Sequence, residues 1–255
     1  ITKKDLSRLA EYDALFIRET TNIDNHTYRF ARRAMQEGMP VIDDPVSMMR
    51  CTNKVYLAEL LTANGLPIPK TLIVDKPKDV KKIESEIGYP VVVKIPDGSF
   101  SRGVKKAENR AELEAMLKEM FEDSDLILAQ EVMPTSIDWR IGVLEGKPLF
   151  ACQYLMAKKH WQIVKHDGSR TPLEGGFKTY ALADTPPEVV EIATRAASLM
   201  GRGLYGVDLK QNERGVFVIE VNDNPNLEHG VEDQVEKDEV WRRLIQWFIV
   251  RIDRR

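Results

Sequence analysis

The hydrophobic positions change period several times along the chain, and each change marks an element. Asp13-Ala-Leu-Phe-Ile17 is a short apolar run that predicts a buried strand. A helix follows over 28–36, stopped by Glu37-Gly38-Met39-Pro40, and Val41-Ile42 predicts a second short strand closed by Asp43-Asp44-Pro45. A helix is predicted over 53–63, with Thr52 as N-cap and Asn64-Gly65 as its stop. Leu66-Pro67-Ile68-Pro69 forces an extended exit, because each proline disfavours the α region for the residue before it. A strand over 71–74 and an amphipathic helix over 79–87, apolar at Val80, Ile83 and Ile87, come next. Val91-Val92-Val93-Lys94-Ile95 is a β-branched run bounded by Pro90 and Pro96, the clearest strand in the chain. Leu113, Met116, Leu117, Met120 and Phe121 recur at helical spacing, and residues 126–132 are strand-like again.

The second half opens with a hairpin, 140–144 and 148–154, turning at Glu145-Gly146-Lys147. A long polar stretch, 156–178, has no clear period. A helix over 186–200 carries a capping box, with Thr185 as N-cap, Pro186 at N1 and Glu188 at N3. Two strands, 204–210 and 216–222, flank Asn212-Glu-Arg-Gly215, and a last helix spans 235–252. The pattern predicts an α+β protein of two α/β lobes joined near 126–134. Residues 1–45 form a partial N-terminal α/β segment, 46–128 one lobe, and 129–255 the other with the C-terminal helix.

Composition narrows the class. Of 255 residues, 43% are hydrophobic and 30% charged, an ordinary globular balance. Net charge is 37 − 40 = −3, so no global positive field recruits nucleic acid or an anionic membrane surface. Cys51 and Cys152 are too few for a disulfide framework and fit a reducing, cytoplasmic setting. No apolar run approaches the ~20 residues of a membrane helix, and no signal peptide is visible. Ile1 in place of Met suggests a trimmed chain. The sequence leaves room for a homo-oligomer.

The paired strands carry the first candidate chemistry. In 204–210, Tyr205, Val207 and Leu209 share one face and Asp208 the other; in 216–222, Phe217, Ile219 and Val221 oppose Glu220 and Asn222. Folding about Gly215 brings Asp208 opposite Ile219 or Glu220. In the second register Asp208, Glu220 and Asn222 converge as a hard oxygen set for Mg²⁺ or Mn²⁺. The alternative is a solvated strand face. Against it stands the interruption of otherwise apolar strands, and Asn222-Asp-Asn-Pro-Asn226 follows directly.

Cations form a second set. Lys94 sits inside an apolar strand, where an ammonium needs an anion, or else snorkels from an edge. Lys54 begins a helix, a natural anion site, or else is a surface lysine. The loop Gly98-Ser99-Phe100-Ser101-Arg102-Gly103 offers N–H and hydroxyl donors to phosphate, although it lacks the Gly-Lys-Ser/Thr of a Walker loop.

Taken in order, Asn53-Lys54, Gly65-Leu-Pro-Ile-Pro69, Pro90-Val-Val-Val-Lys94, the Gly/Ser loop, Gln130-Glu-Val-Met133, Asp138-Trp-Arg140, Gly175-Gly176, Gly206-Val-Asp208 and Glu220-Val-Asn222 resemble the ATP-grasp superfamily, and most of all RimK-type ATP-grasp ligases. The resemblance spans about 43–231, with 1–42 as the tail of a preceding domain. It implies the ATP-grasp fold, two lobes clasping a nucleotide. Lys54 and Lys94 would meet ATP phosphates beneath a loop carrying Gly98, Ser99, Ser101 and Gly103. Adenine would meet Gln130, Glu131, Val132 and Met133, and the ribose Asp138. Asp208, Glu220 and Asn222 would carry two Mg²⁺ (or Mn²⁺) ions, and Arg140 would lie near the transferred phosphoryl group. Where RimK-type ligases carry Phe-Arg-x-Asn, this chain reads His160-Trp-Gln-Ile163. Lys158, Lys165 or Lys178 would replace that arginine, and Lys178 is taken with Arg140 as catalytic.

The implied activity is an ADP-forming carboxylate–amine ligase acting through an acyl phosphate on an amino acid or peptide. A small-molecule kinase on the same fold and a non-catalytic nucleotide-binding module are its rivals. The four histidines have no metal-ligand spacing, and the tryptophans and cysteines read as packing residues.

Overall fold

The computed structural model describes residues 1–97, 103–155 and 176–254, together with the backbone pairing of 164–165 and 173–174. β1 (Leu15–Phe16) pairs in parallel with β2 (Val41–Ile42) across the crossover helix α1 (His26–Gln36). Leu15, Phe30, Ala31, Ala34 and Val41 make a small core of their own.

The Asp43-Asp44-Pro45 turn proves to be a helix start. Asp44 accepts from the Val46 and Ser47 amides and Pro45 occupies the first turn, giving α2 (Pro45–Thr52). Asn53, not Thr52, caps α3 (Lys54–Ala63), because its side chain accepts from the Tyr56 amide.

The first large sheet is β3 (Thr71–Val74), β4 (Val91–Lys94), β5 (Val104–Ala107) and β6 (Ile127–Glu131), antiparallel in the order β3-β6-β4-β5. Val91, Val93, Ala107, Ile127 and Ala129 point to one face, covered by α4 (Val80–Glu86) and α5 (Arg110–Met120) through Val80, Ile83, Leu113, Leu117 and Met120. Strand alternation sends Val92, Lys94 and Gln130 to the opposite face. β5 was not expected from sequence; its lysines mask the alternation.

The second sheet takes β7 (Ile137–Leu144), β8 (Lys147–Leu155), β11 (Phe177–Tyr180), β12 (Leu204–Asn212) and β13 (Gly215–Asn222) in the order β11-β8-β7-β12-β13, while β9 (Val164–Lys165) and β10 (Leu173–Glu174) pair separately. One face packs on α6 (Pro187–Met200), the other on α7 (Asp238–Ile252). α6 starts at Pro187 without the expected capping box, since the Thr185 hydroxyl donates to the Ala181 carbonyl instead.

Cys51, Leu57, Leu61 and Leu66 are buried with Trp139, Ile141, Val189 and Val218. Apolar packing therefore fastens α2 and α3 to the second sheet. Among the described residues no helix is long and apolar enough to cross a membrane.

Candidate functional site

The β12–β13 register sets Asp208 opposite Glu220, and the β7–β12 register sets Asp208 opposite Arg140. All three side chains thus share one row across three neighbouring strands, with Asn222 two residues beyond Glu220 on the same face. The sequence left Ile219 or Glu220 open as the partner of Asp208. A bulge after Asp208 absorbs the extra residue and selects Glu220.

Arg140 grips Asp208 with both arms, Nε to Oδ1 at 2.7 Å and Nη2 to Oδ2 at 2.8 Å. Burial works against the guanidinium's charge, yet Asp208 overcomes it and raises the Arg140 pKa. The Asn222 Nδ2 donates to Asp208 Oδ2 at 3.1 Å, which turns the amide oxygen away from that carboxylate. Gly206 makes this arrangement fit: a Cβ there would stand 2.7 Å from the Pro225 Cβ, so the segment after Asn222 lies directly on β12.

Positive charge arrives from two directions. Lys54, in the first turn of α3, reaches Glu220 Oε1 at 3.5 Å. Lys94, at the end of β4, donates to Gln130 Oε1 at 2.7 Å, and Gln130 Nε2 in turn donates to Thr71 Oγ1 at 2.8 Å. Burial lowers the Lys94 pKa to about 8; Glu220 acts to raise it, and the Lys54 and Lys210 ammoniums depress it further. Lys94 and Glu220, from different sheets, therefore lie in one another's field. Neither the snorkelling nor the surface alternative describes these lysines.

Along the connector, Met133 is buried, and Glu131 accepts from the Lys70 amide at 2.9 Å and pairs with Arg214 at 3.1 Å. Asp138, which the resemblance sets against the ribose, accepts from Lys210 Nζ at 2.5 Å and Thr135 Oγ1 at 2.9 Å through its Oδ1, while Lys210 also donates to Thr135 at 2.9 Å. Lys210 and Thr135 were missed by sequence reasoning. The usable signal was that Lys210 lies two residues from Asp208, on the same face of one strand.

Lys178 is not brought to this row. It pairs with Gln153, whereas Arg140 pairs with Cys152, so strand alternation puts Lys178 out of phase with Arg140. Its ammonium sits 4.5 Å from the Tyr180 ring centroid. Gly103, at φ 72°, closes the glycine-bearing loop by accepting from the Ile95 amide at 3.0 Å. Gly98, Ser99, Ser101, Lys158 and His160-Trp-Gln-Ile163 lie outside the described residues, as does the side chain of Lys165.

Two neighbours frame the row. The Tyr154 ring lies 5.3 Å from the Arg140 Cζ, and its hydroxyl donates to the buried Glu232 at 2.6 Å. Beyond Asn222, Asp43 and Asp223 each bury one carboxylate oxygen without a partner, and burial pushes both carboxyls up. Burial also pushes the Cys51 and Cys152 thiols up, so neither offers a thiolate.

Among the described residues no group of three or more His, Cys, Asp or Glu gathers as a metal site. The metal candidates are two carboxylates and an amide oxygen. That set fits a hard divalent cation bound partly by substrate phosphates, the usual Mg²⁺ arrangement.

A family model described as a RimK-like ATP-grasp domain matches residues 51–248. The chain is 30% identical over 233 residues to a probable alpha-L-glutamate ligase of Aliivibrio fischeri (strain MJ11), covering 90% of this chain and 74% of that protein. Among solved structures, the D-alanine–D-alanine ligase from Bacillus anthracis is similar with a TM-score of 0.76 at 16% identity, over 100% of this chain and 86% of that one. The ATP-grasp ligase PsnB, complexed with a phosphomimetic variant of its minimal precursor, Mg and ADP, aligns with a TM-score of 0.63 at 22% identity, over 89% of this chain and 66% of that one.

Proposed function

Since the chain belongs to the RimK-like ATP-grasp family, and so to ATP-dependent, ADP-forming carboxylate–amine ligases, we propose that it activates a carboxylate as an acyl phosphate and that an amino acid or peptide is one of the joined partners. The name of the Aliivibrio relative, a glutamate ligase, supports an amino-acid substrate. Glutamate itself is not proposed, because the acceptor-facing segment of the chain also differs from that of RimK-type ligases.

The observation that carries this reading is the meeting of the Asp208–Glu220 row with Lys54 from α3 and Lys94 from the first sheet. A carboxylate attacking a triphosphate must overcome repulsion between anions. Cations fixed where charge develops reduce that barrier by several kcal/mol. Lys54 and Lys94 would hold the phosphates, with the Gly/Ser loop above them. Arg140, fixed by two hydrogen bonds, would face the transferred phosphoryl group and the oxyanion of the attacked carbonyl. Gln130 to Met133 would line the adenine, and Asp138 the ribose.

Asp208, Glu220 and the Asn222 amide oxygen would hold two Mg²⁺ or Mn²⁺ ions; when bound, such ions neutralise phosphate charge. We place the enzyme in the cytoplasm and assign it neither a nucleic-acid nor a membrane partner. The proposed units are an N-terminal segment, a nucleotide-clasping first lobe and a second lobe bearing the metal residues.

The test is ADP release that requires both a carboxylate and an amine, screened over amino acids and short peptides with Mg²⁺. Hydroxylamine should trap a hydroxamate, which a kinase acting on a hydroxyl would not yield. Full ligation by Glu220→Ala would overturn the site assignment.

A further inference from the structure

The Asp138–Lys210 ion pair has no place in the expected site, and we infer that Lys210 is a positioning residue for nucleotide recognition: it orients Asp138 so that the second carboxylate oxygen accepts the ribose hydroxyls of ATP. This inference rests on the nucleotide reading above.

The β7–β12 register pairs Asp208 with Arg140 and Leu209 with Trp139, so the next antiparallel step sets Lys210 against Asp138. Two ion pairs therefore stand side by side on one sheet face, Arg140–Asp208 and Lys210–Asp138. They use their carboxylates differently. The planar guanidinium takes both oxygens of Asp208. The ammonium is a point donor and takes only Oδ1 of Asp138, the oxygen that Thr135 also uses. Among the described residues Oδ2 of Asp138 has no hydrogen-bond partner, yet it is not a buried orphan. Two donors on one oxygen fix the carboxylate plane and leave the other oxygen presented.

Charge completes the argument. Asp138 is largely buried, and burial holds its carboxyl above the usual carboxylate range; Lys210 and Thr135 act against that rise and favour the charged form. An ionised carboxylate is acceptor-only, which suits a sugar diol that arrives with two O–H donors. Position agrees. Asp138 follows the connector assigned to adenine, and Lys210 is close enough to Lys94 to depress its pKa. The pair thus stands between the base end and the phosphate end of the cleft, where the sugar must lie.

The experiment is calorimetric binding of ATP, 2′-deoxyATP and 3′-deoxyATP to the full chain with Mg²⁺, for wild type, Lys210→Met and Lys210→Arg. The wild type should prefer ATP over at least one deoxy analogue by about tenfold, the effect of one charge-assisted hydrogen bond. Lys210→Met should bring that ratio below about threefold, chiefly by weakening ATP, and Lys210→Arg should restore part of it. Lys210→Gln, of similar length without the charge, serves if the methionine variant does not fold. An unchanged ratio in folded Lys210→Met or Lys210→Gln would show a merely structural lysine and overturn the inference. A wild type that binds ATP and both deoxy analogues equally would overturn the ribose role alone. One that binds no nucleotide would overturn the nucleotide reading itself.

Discussion

Arg140 occupies both carboxylate oxygens of Asp208, at 2.7 and 2.8 Å, in the row where Asp208 and Glu220 were expected to share divalent ions. One cation, the guanidinium, thus already balances a charge that a metal would balance. The two side chains are 19% and 16% exposed, so losing either partner strands a poorly solvated charge. Removing one partner of a buried pair costs about 3–5 kcal/mol. Arg140→Met should lower the melting temperature of metal-free protein by roughly 10 °C, at about 2–4 °C per kcal/mol for a chain of this size. Millimolar Mg²⁺ should restore part of that loss, because a divalent ion can replace the guanidinium beside Asp208. Equal deficits with and without Mg²⁺ would separate Asp208 from the metal.

Lys94 sets a pH dependence. Its pKa, lowered by burial to about 8, means that the ammonium loses its proton as pH rises through that value. Phosphate binding favours the charged form, so the KM for ATP should be flat below about pH 8 and climb above it by up to about tenfold per unit. Stability runs the other way. With a folded pKa below the unfolded value of 10.5, the native state holds fewer protons between about 8 and 10.5, and the nucleotide-free protein gains stability as pH rises through that window. Lys94→Arg, charged throughout, should give a flat KM profile. A profile that climbs identically in both proteins would assign the effect elsewhere.

Gly206 tests the close approach behind the metal row. A methyl group there would stand 2.7 Å from the Pro225 Cβ, and a backbone-held proline ring cannot swing aside as a flexible side chain does. Gly206→Ala should destabilise by about 1–3 kcal/mol, the usual cost of overpacking. It should also reduce activity more than stability explains, because Asn222 leads directly into the displaced segment. Urea denaturation beside ADP-release rates reads both; wild-type values for the two would show that the loop yields freely.

Periodicity and turn chemistry made most elements legible before any coordinates. The Val91–Ile95 run, the Gly215 hairpin and the apolar spacing of α5 all form where the pattern places them, within a residue or two. The failures have physical reasons. Asp44-Pro45 serves equally as a turn or as a helix start, and only the backbone amides of Val46 and Ser47 decide between them. The packing of α3 on the second sheet was not legible, because Leu57 and Leu61 find their partners there by a long-range choice that local pattern does not encode. At the site, Asp208 and Glu220 were readable as strand-face carboxylates, but the register between them hung on a bulge. Lys178 shared a chemistry with the site and not a face. Lys210 shared the face, but a lysine on a strand reads equally as a solvated side chain, and only the β7–β12 register sets it against Asp138.

Tyr154 carries the last test, since it joins Arg140 to a segment well away in sequence. Its ring lies 5.3 Å from the Arg140 Cζ, and its hydroxyl donates to Glu232, which is fully buried and also accepts from the Glu228 amide. Ring and hydroxyl do separate work. Tyr154→Phe keeps the cation–π surface and leaves a buried carboxylate oxygen without its donor, at a cost of about 1–3 kcal/mol. The expected outcome is lower stability with kcat near wild type. Tyr154→Leu removes the ring as well, and with it about 1 kcal/mol of support for the guanidinium. Among the described residues Arg140 then has only Asp208 to aim it, and kcat should fall further while the KM for ATP changes little. If the two variants match in kcat, the ring contributes nothing to placing Arg140, and the Glu232 bond accounts for the whole effect.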